Sequence, residues 1–145
     1  MIDVDHQISD EFRVVQVTPP GSSCSVSFGI GIHGEPGRER GKLRSAREIV
    51  DFSLSAIHDD MPLEGQLAVI VNGMGGTPLV ELYVVFQEVS AYLKDRGAVI
   101  TRSLVGNYVT SLDMAGASIT VLRLTPDLTQ LWDAPVETPA LRWGR

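Results

Sequence analysis

The stretch from Gln66 to Gly97 limits the possible folds more than any other part of this chain. It opens with "QLAVIVNG" at 66–73, turns through "GMGGT", and enters a segment headed by Pro78 in which Leu82, Phe86, Val89 and Leu93 recur at helical spacing. An unbroken apolar strand is a strand covered on both faces, so it belongs in the middle of a sheet. Proline at a first-turn position and the 3.6-residue period then predict an amphipathic helix that ends at Gly97. A strand that runs straight into a helix needs a sheet with helices laid on it.

The rest of the sequence supplies further elements of that kind. "FRVVQV" at 12–17 is a strand stopped by "TPPGSS", after a polar leader over 1–11. "CSVSFGIGI" places Val26, Phe28, Ile30 and Ile32 on one side of a second strand that ends at His33. "HGEPGRERGK" reads as a loop, because Pro36 and its glycines interrupt both helix and ladder. Ser45-Ala46-Arg47-Glu48 is a capping box, and Ala46, Ile49 or Val50, Ser53 and Ile57 continue the helix to "DDMP". Strands are expected at 98–104 and 117–124, separated by a turn in "GNYVTSLDMAG". A short capped helix follows at 125–132, then an extended tail held out of helix by Pro135 and Pro139. This order predicts an α/β fold, a two-layer α-β sandwich with a mixed sheet and helices on one side. With 145 residues the chain fits one compact domain, in which 1–23 is a divergent leader with the first strand and 24–145 the main body.

Composition narrows the function. A net charge of −6 argues against a nucleic-acid binder, and the apolar runs fall short of the roughly 20 residues of a membrane helix. Lone Cys24 allows no internal disulfide and the first residues carry no signal pattern, so a cytoplasmic setting is expected. Arg38, Arg40, Lys42, Arg44 and Arg47 oppose the overall charge, as a solvated loop face, as a docking surface for an acidic protein or phosphate, or as a nucleic-acid contact, though no aromatic residue interleaves them as a single-strand reader would need.

Two glycine motifs carry the candidate chemistry. "GIGIHG" at 29–34 matches the spacing of a dinucleotide fingerprint, with Asp51 near the ribose offset, but Glu35, Pro36 and Gly37 prolong a loop where that motif needs a helix. What is left is His33, an imidazole presented at a strand end, able to take a proton or add to an electrophilic carbonyl. Glu35 can orient it or face water. His6 and His58 share no ligand spacing with His33, so no metal is expected. In "NGMGGTP", Asn72, Gly73, Gly75, Gly76 and Thr77 join a strand end to a helix start. They form either a polar ligand contact or a tight turn in which Thr77 caps the helix. Asp113 reads as a turn cap, Trp132 and Trp143 as packing residues, and Tyr83 and Tyr92 as packing residues with one wet edge.

"GIGIHGEPG" at 29–37, "VNGMGGTPLVELYVVF" at 71–86, "LVGNYVTSLDMAGASITVLRL" at 104–124 and "LWDAPVETPALRWG" at 131–144 together resemble the carboxyl-terminal subdomain of the substrate-binding subunit of dihydroxyacetone kinase. In that family the histidine of "GIHGEPG" forms a covalent hemiaminal with the substrate ketone, and His33 matches it by position. The resemblance implies a two-layer fold, a homodimer, and Gly31, His33 and Glu35 as substrate contacts for dihydroxyacetone or a similar small ketone. It also implies that a first α/β subdomain supplies the other substrate contacts. Phosphoryl would come from ATP with Mg, or from a phosphoprotein, on a separate nucleotide-binding or donor domain, with no cofactor held by this chain. A second reading keeps the fold without the chemistry, as an interaction or regulatory module related to the kinase subunit.

Overall fold

The computed structural model describes residues 5–9, 12–18, 26–28, 39–41, 44–112 and 114–144. At the centre is β5 (Gln66–Gly73), flanked by β6 (Val99–Gly106) in parallel and β7 (Ala117–Arg123) antiparallel. The sheet continues from β7 through β2 (Phe12–Thr18) to β3 (Val26–Phe28) and β4 (Glu39–Gly41), each antiparallel to the last, and β1 (Asp5–Ser9) also pairs with β2. One parallel pair among antiparallel ones makes the sheet mixed, as expected.

The continuous apolar run is explained by position. Leu67, Val69 and Val71 lie in the core beneath the helices, and Ala68 on the alternate face is buried as well. The covering layer consists of α1 (Ala46–Asp60) and α2 (Leu79–Asp95). α1 sends in Val50, Leu54 and Ile57, and α2 sends in Leu82, Val89 and Leu93, with Phe86 packed against them. Burying side chains of this size contributes about 1.5–3 kcal/mol each, so this seam holds the two layers together. α1 starts on the expected capping box: Ser45 Oγ accepts from the Glu48 amide while the Glu48 carboxylate accepts from the Ser45 amide at 2.9 Å. The Ser45 hydroxyl, which donates to the Glu48 carboxylate at 2.6 Å, and then the Ser45 amide hold the Glu48 carboxyl below the usual carboxylate range. Beyond the helix, the Leu63 amide donates to His58 Nδ1.

Three elements depart from expectation. Asp5–Ser9, read as a loose leader, forms β1, because an antiparallel neighbour on β2 supplies the ladder that its polar sequence does not advertise. Glu39–Gly41, read as loop, forms edge strand β4, where charged residues are readily accommodated. The tail is not simply extended: after α3 (Pro126–Asp133), β8 (Val136–Glu137) and β9 (Arg142–Trp143) close a small hairpin. Trp132 and Trp143 stack with ring centres 6.1 Å apart, and the Trp143 indole donates to the Ala134 carbonyl. Arg102 on β6 binds both carboxylate oxygens of Asp133 at 2.6 Å, which raises the guanidinium pKa and lowers that of the carboxyl.

Candidate functional site

The register fixes where the two glycine motifs stand. Phe28 pairs with Val17, Val17 with Ala117, and Ala117 with Gly73, so all four share one row across the sheet. Three strand intervals separate Phe28 from Gly73, roughly 14 Å at the usual spacing. Phe28 also pairs with Glu39. The motif holding Gly31, His33 and Glu35 is therefore entered and left through one pair at the edge of the sheet, and those three residues lie outside the described ones. Asp113 does too.

The second motif is described in full. Asn72, one residue before the end of β5, is 4% exposed and works as a backbone substitute for the loop over 107–112 and 114–116. Its Oδ1 accepts from the Tyr108 and Val109 amides at 2.8 Å, and its Nδ2 donates to the Val109 carbonyl at 2.6 Å and to Ser118 Oγ at 3.4 Å. The next amides are engaged by the same loop: Met74 donates to the Gly116 carbonyl, Gly75 to Asn107 Oδ1, and Gly76 to the Met114 carbonyl. Ser111 Oγ returns a bond to the Met74 carbonyl at 2.6 Å.

The glycines here answer to the neighbouring loop. A Cβ on Gly73 would run into Asn107 Oδ1 and Leu82, and one on Gly75, which has φ +98°, would run into the Ser111 carbonyl. Thr77 does not cap α2. Its hydroxyl accepts from the Gly116 amide at 2.7 Å and donates to the Gly116 carbonyl at 2.9 Å, leaving Pro78 as an N-cap without a side-chain bond. Sequence reasoning missed the partners Asn107, Ser111, Gly116 and Ser118, because nothing in spacing tells which of two loops a hydroxyl or amide will meet.

Outside this corner, α1 and α2 frame a polar cleft lined by Arg47, Asp51, Glu88, Tyr92, Asp95 and Arg96. Arg47 pairs with Glu88 at 3.3 Å, and the Arg96 guanidinium lies 3.5 Å from the centre of the Tyr92 ring. Asp51 thus belongs to the outer side of a helix. Tyr92 is buried with its hydroxyl bonded to Ser55, whereas Tyr83 is 54% exposed and does not pack as expected. Among the described residues no group of three His, Cys, Asp or Glu side chains gathers as a metal site, and no helix is long and apolar enough to cross a membrane.

Strand order, helix placement and the two interlocked loops define a mixed-sheet α/β domain whose irregular segments collect at the strand ends. The Dak1 domain family model matches residues 20–140, and the chain belongs to that family. It is 43% identical over 125 residues to an L-erythrulose 1-kinase of Mycolicibacterium smegmatis, covering 82% of this chain and 22% of that protein. It is 42% identical over 116 residues to the dihydroxyacetone-binding subunit DhaK of the PTS-dependent dihydroxyacetone kinase 2 of Listeria innocua, covering 79% of this chain and 35% of the subunit. A solved structure described as regulation of the dha operon of Lactococcus lactis superposes with a TM-score of 0.78 at 31% identity, over 88% of this chain and 41% of that one. The chain therefore spans between about a fifth and two fifths of the length of these relatives.

Proposed function

We propose that this chain is the substrate-holding half-site of a kinase acting on small hydroxyketones, with His33 as the covalent anchor. The reading is supported by the segment "GIHGEPG" in a chain of this family, bracketed by the Phe28–Glu39 pair. Two relatives are named for erythrulose and dihydroxyacetone, both ketones flanked by hydroxyl-bearing carbons. The unprotonated imidazole nitrogen adds to the carbonyl carbon, the C=O bond becomes C–OH, and the proton released from the ring ends on that oxygen. A terminal hydroxyl is then held still for phosphorylation, and a polyol without a carbonyl cannot be captured. Gly31 and Glu35 complete this chain's share of the contacts.

The remainder belongs to other polypeptide. Further substrate contacts come from an α/β piece of the kind that makes up the rest of the longer relatives, and phosphoryl comes from ATP with Mg or a phosphoprotein on a separate domain. The chain alone is accordingly inactive as a kinase, and it associates as a homodimer. Dihydroxyacetone labelled with carbon-13 at C2 tests the anchor: its carbonyl resonance moves to the tetrahedral region with wild type and not with His33→Ala. No His33-dependent adduct, even with the complementary piece added, would refute the reading.

A second reading, a regulatory module without catalysis, is favoured by the Lactococcus structure's description. Deleting this chain in cells separates the two. Loss of ketone phosphorylation at unchanged kinase levels supports the half-site, and altered kinase expression supports the regulator.

A further inference from the structure

The bonds between the 72–78 corner and the loop over 107–112 and 114–116 run in both directions and alternate along both segments. Asn72 holds Tyr108 and Val109; Gly75 holds Asn107; Ser111 holds Met74; Met114 holds Gly76; Thr77 and Gly116 hold each other. Gly75 and Met114 form a parallel bridge, and the Met114 amide donates to Ser111 Oγ at 3.1 Å. Neither segment can leave without stripping partners from the other, and several of those partners are buried, where an unpaired polar group is costly.

We infer that residues 72–78, 107–112 and 114–116 form one cooperative latch, opening and closing together rather than as separate loops. The latch joins surfaces of different kinds. On one side are the glycine corner and the amino end of α2. On the other is an apolar crest in which Leu112 is fully exposed and Tyr108, Val109 and Met114 are 40%, 54% and 48% exposed. Because both belong to one opening unit, anything that steadies the crest also steadies the amino end of α2, and the reverse holds by the same free energy.

Hydrogen exchange on the whole chain tests this, with one variant in each segment. Ser111→Ala removes the bond to the Met74 carbonyl, and Thr77→Val removes the pair with Gly116 while keeping the side-chain volume. Each variant removes two hydrogen bonds, since Ser111 Oγ also accepts from the Met114 amide, and is expected to speed exchange by about ten- to a hundredfold. The increase should appear by the same factor at the Met74, Gly76, Tyr108 and Val109 amides, whose bonds run to Gly116, Met114 and Asn72 rather than to either deleted hydroxyl, with Val69 in β5 unchanged. Faster exchange confined to the mutated segment would overturn the inference. So would acceleration that spreads to Val69, since the opening would then be that of the whole domain.

Discussion

Replacing Gly75 with alanine isolates how much of the latch depends on close approach. Two costs arise at that position. At φ +98° an L-residue is strained by roughly 1–2 kcal/mol, and its Cβ would be driven against the Ser111 carbonyl. That atom is backbone, held by the latch, and cannot rotate away; forcing such overlap adds roughly 1–3 kcal/mol. The sum is about 2–5 kcal/mol, less about 0.4–1 kcal/mol for the smaller unfolded-state entropy, equivalent to a fall of roughly 5–15 °C in Tm for a domain of this size. Gly65→Ala is the matched control: φ is +70° there and nothing stands within 4 Å of the added methyl, so only the strain applies, about 1 kcal/mol after the smaller unfolded-state entropy is credited. Urea unfolding of both variants gives the difference directly. If Gly75→Ala falls within about 0.5 kcal/mol of the control, the Ser111 segment yields freely and the latch is not rigid.

Leu54→Ala, at a fully buried position on the sheet-facing side of α1, should cost about 2–5 kcal/mol in chemical denaturation. Acid should weaken the fold through Asp133 and Glu48. Their carboxyl pKa values are lowered by Arg102 and Ser45 respectively, so near those values the unfolded chain binds more protons and stability rises with pH. The stabilisation is complete above the ordinary carboxylate range and is lost as pH falls through the folded values. A pH series on Asp133→Asn should therefore show a shallower acid limb than wild type. Trp143→Phe should abolish the coupled indole signal in near-ultraviolet circular dichroism and expose the Trp132 fluorescence to water, leaving far-ultraviolet helix content unchanged.

Elements fixed by local chemistry were legible in the sequence. α1 announces itself through Ser45 and Glu48, and β5 through five apolar residues in a row, and both stand within a residue or two of expectation. What escaped was set by distant partners. "DHQIS" carries no strand pattern, and only its neighbour on β2 makes β1. Thr77 looked like a cap because it precedes Pro78, yet the hydroxyl is drawn to Gly116, 39 residues away. Asn72 was open between ligand and turn, and its amide mimics a strand partner for a loop whose sequence gives no sign of approaching. For the histidine motif, the family resemblance carried more than any spacing rule, because one imidazole beside glycines has many possible duties.

The pairing of β2 with β7 has a bearing on biosynthesis. Val15 lies opposite Ile119, so β2 must wait for a segment translated about a hundred residues later before this part of the sheet can zip. While the ribosome works through the intervening hundred or so residues, the edge of β2 that will meet β7 stays unmatched and prone to sticking to other nascent chains. Yield in cells should thus depend on chaperone supply more than the finished molecule's own resistance to heat would suggest.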